Sequence, residues 1–112
     1  MIVKLNKNII TINQFKLKCS VGKGGIKKKN MEGDNITPKG IFSLGTLYYR
    51  FDRIGKIKTK LNTKIIKKNM GWCNDTNSNN YNRLINITKK YAYSFEKMHR
   101  KDHKYDLAIL IK

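Results

Sequence analysis

The sequence predicts a mainly β protein with one short helix, and three observations carry that expectation. Apolar and polar residues alternate in short runs between Ile2 and Val21. A run rich in β-formers fills Ile41 to Tyr49, and Leu107 to Ile111 is continuously apolar over a strand's length.

Taken in order, Ile2-Val3-Lys4-Leu5, a polar Asn6-Lys7-Asn8 break and Ile9 to Ile12 read as a meander of short strands. Phe15, Leu17, Cys19 and Val21 then alternate with Lys16, Lys18 and Ser20, the period of a half-buried strand that places Cys19 in a sheet core. Gly45 inside the run from Ile41 to Tyr49 suggests a bulge or a close backbone approach. Residues 54 to 70 read as basic loop with a short strand near Lys64 to Lys67. Gly71 to Asp75 leads into a turn-forming stretch, Thr76 to Asn80. Ser94 is placed to cap the one helix, with Phe95, Met98 and His99 on one face and Arg100 and Lys101 near its C-terminal end. Leu107 to Ile111, apolar on both faces, reads as a central strand.

Between the strands lies a shaped loop, Glu32-Gly33-Asp34-Asn35-Ile36-Thr37-Pro38-Lys39-Gly40. Pro38 fixes its own φ and pushes Thr37 to extended geometry, while Gly33 and Gly40 can take positive φ. The preceding Val21-Gly22-Lys23-Gly24-Gly25-Ile26, followed by Lys27 to Lys29, has the composition of an anion loop. It lacks the Gly-Lys-Ser/Thr ending and the following helix of a nucleotide site, so it reads as a loop leaving a strand.

A chain of 112 residues is one domain at most and buries roughly 65% of its unfolded surface. Its apolar content of 39% argues against wholesale disorder. No run approaches the about 18 apolar residues of a membrane-spanning helix. The N-terminus shows no continuous apolar segment with a cleavage site, so no signal peptide is visible.

The net charge of +18 makes nucleic acid a partner to weigh. Of the 25 basic residues, however, only Arg50, Arg53, Arg83 and Arg100 are arginine, the side chain suited to bidentate recognition of bases and phosphates. The charge therefore reads as a lysine-rich background suited to an anionic cell envelope, with nucleic-acid binding the secondary reading. Cys19 and Cys73 fit a disulfide in an oxidising compartment and two thiols in a reducing one equally well.

The segment Gly33-Asp34-x-x-Thr37-Pro38-x-Gly40-x-Phe42 resembles a motif of the L,D-transpeptidase catalytic-domain family, the YkuD-like cell-wall enzymes. Other segments follow in the order of one branch of that family: Cys19 to Ile26 upstream, then Tyr49-Arg50-Phe51-Asp52-Arg53, Gly71-Trp72-Cys73-Asn74-Asp75, Tyr81-Asn82-Arg83 and Arg100-x-Asp102-x-x-Tyr105-Asp106. Together they span nearly the whole chain. The family's catalytic His and its Ser/Thr-x-Gly-Cys nucleophile motif do not occur among these residues.

The resemblance implies that residues 1–112 form a single incomplete catalytic domain, a truncated β-sandwich lacking its nucleophile. The implied chemistry is acyl transfer. A Cys thiolate attacks a peptidoglycan stem peptide, D-Ala leaves, and an amine resolves the thioester without metal or organic cofactor. The implied partners are stem peptides and the implied location is the periplasm or cell envelope. The resemblance puts Asp34, Thr37, Arg50, Arg53, Trp72, Tyr81 and Arg83 at the substrate, lining or supporting its cleft; a surface ion pair is the plain alternative for the arginines. This chain contributes no catalytic residue in that reading, and the rival is a non-catalytic peptidoglycan-binding module. A Cys73 pairing with His99 or His103 is the remaining route to catalysis, since such pairs are defined by geometry rather than spacing.

Overall fold

The computed structural model describes residues 1–29 and 31–112. It is mainly β, with its strands in small sheets and one short helix. The chain divides into two compact units, Met1–Ile41 and Phe42–Lys112.

In the first unit, β1 (Val3–Asn6), β2 (Ile9–Ile12) and β3 (Phe15–Lys18) form the expected antiparallel meander. Its two tight turns are made possible by positive φ at Lys7 (54°) and Asn13 (52°), the conformation that two-residue hairpin loops require. The alternation of β3 holds, but the half-burial expected of it does not, because all residues of β1 and β3 are exposed. A sheet buries a face only against another layer. Cys19 lies past the end of β3 and is half-buried rather than in a sheet core, its N–H donating to the Asn8 carbonyl at 2.8 Å. Further along, β4 (Ile26–Lys27) and β5 (Thr37–Pro38) pair in parallel.

The second unit holds β6 (Leu44–Tyr49), α1 (Phe51–Ile54), β7 (Thr63–Ile65), β8 (Met70–Cys73), β9 (Leu84–Asn86), β10 (Phe95–Lys97) and β11 (Leu107–Ile111). They form two three-stranded sheets, ordered β11-β6-β7 and β10-β8-β9. Tyr48, Ile66, Met70 and Met98 make the core, with Trp72, Leu84, Tyr105 and Ala108 packed against it. Gly45 does mark a close approach. The β6–β11 register shifts between Ile109 and Ile111, and a Cβ on Gly45 would lie 3.3 Å from the Leu110 carbonyl oxygen.

Three expectations are corrected here. The helix expected after Ser94 is strand β10, in which Phe95 to Lys97 pair with Gly71 to Cys73. Ser94 does not cap. Its N–H donates to Asp75 Oδ2 at 3.1 Å and its hydroxyl to Asn74 Oδ1 at 2.7 Å, so the neighbouring strand holds the chain extended. The one helix among the described residues is instead α1, a single turn after β6. Among the described residues, Leu107 to Ile111 is an edge strand rather than a central one, paired with β6 alone, and Leu107, Ile109 and Ile111 are about half exposed. Ile41 to Ser43 precede β6 rather than forming its start, and Ile41 is fully exposed.

Candidate functional site

In the first unit, the glycine loop and the Asp34–Pro38 loop are docked backbone to backbone. Gly22 N–H donates to Thr37 Oγ1 at 2.7 Å, and Gly24 N–H donates to the Asn35 carbonyl at 2.8 Å. A Cβ on Gly22 would sit 2.2 Å from the Asn35 oxygen, so only glycine allows this approach. Asn35 itself has φ of 57° and Gly33 has φ of 80°. Asp34 organises the turn: Oδ1 accepts from Ile36 N–H at 3.1 Å and pairs with Lys29 Nζ at 2.6 Å, while Oδ2 accepts from Met31 N–H at 3.2 Å. Asp34 and Thr37 are thus both engaged in shaping the loop.

In the second unit, the Tyr49–Arg53 segment grips the Arg100–Asp106 loop. Arg50 is only 4% exposed. Its guanidinium meets Asp52 in a bidentate pair at 2.8 and 2.7 Å and donates through Nη1 to the Arg100 carbonyl at 2.7 Å. Arg53 donates to the Arg100, Lys101 and Asp102 carbonyls at 2.9, 3.0 and 2.5 Å and to Asp106 Oδ1 at 2.7 Å. Arg100 closes on Asp102, and His103 Nδ1 lies 2.7 Å from Asp106 Oδ2. The Arg50 hydrogen bonds hold the Asp52 carboxyl down at about 2, and those from Arg100 do the same for Asp102. Arg53 first, and His103 second, lower Asp106. Arg53 is engaged on this loop and Arg50 is shared between it and Asp52; α1 turns the chain directly after β6, with Arg50 as its N-terminal cap residue and Arg53 in its last turn.

Trp72 projects from β8 toward an apolar recess of about 140 Å³ lined by Tyr48, Met98, Tyr105, Ala108 and Ile109 among others. The Trp72 ring meets Tyr48 edge-on, centroids 6.0 Å apart, and its Nε1–H donates to Asn82 Oδ1 at 3.0 Å. At the rim, the Tyr105 hydroxyl donates to Glu96 Oε2, and Lys104 Nζ pairs with Glu96 Oε1 at 2.6 Å. Burial first, and the Glu96 hydrogen bond second, push the Tyr105 hydroxyl well above its usual value, so it remains a donor. A recess of this size is below the roughly 300–1,000 Å³ of small-molecule pockets and suits one side chain or a small group of a larger ligand.

Tyr81 and Arg83 belong to the turn that returns from β8 to β9. Tyr81 N–H donates to the Ser78 carbonyl at 3.1 Å, and the Arg83 carbonyl accepts from Cys73 N–H at 2.9 Å. Trp72, Tyr81 and Arg83 therefore share one hairpin, while Arg50 and Arg53 share one loop clamp.

The Cys–His pairing does not form. Cys73 is 0% exposed, its sulfur beside the Asp75 carbonyl at 4.0 Å and the Tyr91 and Ser78 hydroxyls. Burial raises its pKa, and hydrogen bonds from Tyr91, the Asp75 backbone and Ser78 outweigh that and lower it. His103 is on Asp106, with its side chain 82% exposed, and His99 lies close enough to Asp52 to lower its carboxyl. A nucleophile needs an accessible sulfur and an imidazole in reach. Both cysteines are free thiols, and among the described residues no group of three or more His, Cys, Asp or Glu is placed to hold a metal ion.

Sequence reasoning named Trp72 as a site residue but not the recess beside it. Tyr48, Met98 and Glu96 carry no local signal of meeting there, because residues of distant strands come together only in the fold; Tyr105 was in reach through the Arg100-x-Asp102-x-x-Tyr105-Asp106 segment. No family model, curated protein or solved structure matches the chain.

Proposed function

We propose that this chain is the substrate-holding, non-nucleophilic part of an L,D-transpeptidase-like β-sandwich, working on peptidoglycan stem peptides at the cell envelope. The observation that supports this reading is the pairwise meeting of the segments that carry the family resemblance. Gly22 and Gly24 dock on Asn35 and Thr37; Arg50 and Arg53 clamp the 100–106 loop; the Gly71–Cys73 strand runs beside Arg83 and Leu84. Segments with special backbone and charge needs that meet in this way have the character of a specific scaffold rather than of chance composition.

In this reading Arg50 and Arg53 support rather than touch the substrate, since most of their donors are engaged within the chain. Trp72, with Tyr81 and Arg83 on the same hairpin, presents the substrate-facing surface, and the recess beside Trp72 takes one apolar group of the stem peptide. Cys73 is buried without an imidazole in reach, so in this reading the 112-residue chain binds without turning over.

The test is to incubate the purified chain with a tetrapeptide stem and with sacculi. The expected result is no D-Ala release, together with sacculus binding that survives salt and is reduced by Trp72→Ala. Release of D-Ala would refute the non-catalytic reading. Binding that vanishes with modest salt would reduce the interaction to cationic adhesion. A steep loss of affinity with salt on DNA or RNA, with no sacculus binding, would favour the nucleic-acid reading. Against that last outcome, Arg50, Arg53 and Arg100 are committed to Asp52, Asp106 and Asp102.

A further inference from the structure

The meander of the first unit is sharply two-faced. Its registers place Val3, Ile12 and Phe15 in one cross-strand row and Leu5, Ile10 and Leu17 in another, with the alternate rows made of Lys4, Thr11 and Lys16 and of Asn6, Ile9 and Lys18. Directly opposed residues share a face and successive residues change face. One face of the sheet is therefore wholly apolar, and it is open to solvent: Phe15 is 61% and Leu17 54% exposed, with Val3 and Leu5 also exposed. Met1 and Ile2, both largely exposed, extend the apolar surface past the end of β1.

The lysines are distributed by strand. Lys4 is on β1, and Lys16 and Lys18 are on β3, the two outer strands; the central strand, Ile9 to Ile12, has none. An ammonium on a long apolar stem can reach round the border of such a sheet while the stem stays against apolar surface. The same unit carries Lys7 in the first turn and the run Lys27 to Lys29. An apolar face on one side of a single thin sheet, with long flexible cations on the other side of both outer strands, matches the boundary between acyl chains and anionic headgroups.

The geometry points to the apolar face of β1–β3 as a docking surface for an anionic lipid bilayer, with Phe15, Leu17, Val3 and Leu5 entering the interface and Lys4, Lys16 and Lys18, rooted on the opposite face of the outer strands, reaching round their edges to lipid phosphates. The sheet lies on the membrane and does not cross it. A second copy of the chain is the less suitable occupant, because each copy carries +18.

The experiment is vesicle flotation with the full 112-residue chain, using phosphatidylglycerol-containing and pure phosphatidylcholine vesicles. The chain is expected to float with the anionic vesicles and at least tenfold less with the neutral ones. Phe15→Ser with Leu17→Ser is expected to weaken anionic-vesicle binding at least tenfold with an unchanged circular dichroism spectrum, as both side chains are exposed. Lys4→Gln, Lys16→Gln and Lys18→Gln together are expected to weaken it at the same vesicle concentration while leaving the apolar face intact. Undiminished binding of the serine variant would reduce the effect to charge adhesion and overturn the proposal. So would equal flotation with neutral vesicles, or a chain that ignores vesicles and instead forms a dimer abolished by the serine substitutions.

Discussion

Arg53 and Asp106 are joined at 2.7 Å, Nη1 to Oδ1, and the other donors of the same guanidinium reach three successive carbonyls, those of Arg100, Lys101 and Asp102. One planar side chain thus fixes a whole loop against the end of β6. Arg53→Lys is expected to fail almost as badly as Arg53→Ala, because an ammonium is a point charge and cannot address four acceptors in a fan. Either change should cost about 1–2 kcal/mol in urea unfolding. A lysine variant with the parent's midpoint would mean that the clamp is a surface ion pair of little consequence.

The acid side of stability follows from the same clamp. Asp52 and Asp102 are each lowered from 3.8 to about 2, chiefly by hydrogen bonds from Arg50 and Arg100. A carboxyl with a folded-state pKa below its unfolded value stabilises the fold above the unfolded value and loses that contribution as it protonates. Stability is expected to be level toward neutral pH and to fall between pH 3.8 and about 2. The Asp52→Asn, Asp102→Asn double variant should start lower and show a flatter decline. Both carboxylates are more than half exposed, so the effect is modest. Parallel pH profiles for parent and variant would rule the arginine pairs out as its source.

Gly22 and Gly25 are close in sequence but constrained differently. At Gly22 a methyl group would strike the Asn35 carbonyl oxygen at 2.2 Å, whereas at Gly25 there is open space and only a φ of 83° to penalise a side chain. Gly22→Ala is expected to separate the two loops and abolish exchange protection of the Gly24 amide, which bonds the Asn35 carbonyl at 2.8 Å. Gly25→Ala should keep that protection and cost about 1–2 kcal/mol through its backbone alone. Equal loss of protection in both variants would contradict the backbone contact.

How much of this was legible in the sequence varies with how locally each feature is determined. The meander was, because alternation and turn residues are local: Lys7 and Asn13 adopt positive φ where the polar breaks stand. The Gly45 bulge was legible for the same reason. The stretch after Ser94 was not, because Phe95 and Met98 fit a helix face equally well, and the choice was made by β8 pairing with Phe95 to Lys97 and by Asp75 holding Ser94. Leu107 to Ile111 looked central because its composition is apolar on both faces, while its position in the sheet order depends on which strands pair with it. Of the candidate site, Trp72 and the arginines were named from the motif segments. That Arg50 and Arg53 turn toward the 100–106 loop required the structure, since partners about 50 residues apart leave no periodic trace.

Among the described residues, β11 has β6 on one side only, and Leu107, Ile109 and Ile111 stand about half exposed along it. A five-residue apolar edge with unpaired backbone groups is a template for another strand. At an ionic strength high enough to screen the +18 net charge, the chain is therefore expected to associate as its concentration rises. Ile109→Lys should suppress this, because a charge on an edge strand resists pairing by another chain, and Ile109, although it lines the recess beside Trp72, is half exposed and outside the buried core cluster. Light scattering across a concentration series reads the first effect and urea unfolding the second, where the shift should stay within about 0.5 kcal/mol. If Ile109→Lys leaves the association unchanged while the serine substitutions at Phe15 and Leu17 remove it, the self-association belongs to the meander face and not to the β11 edge.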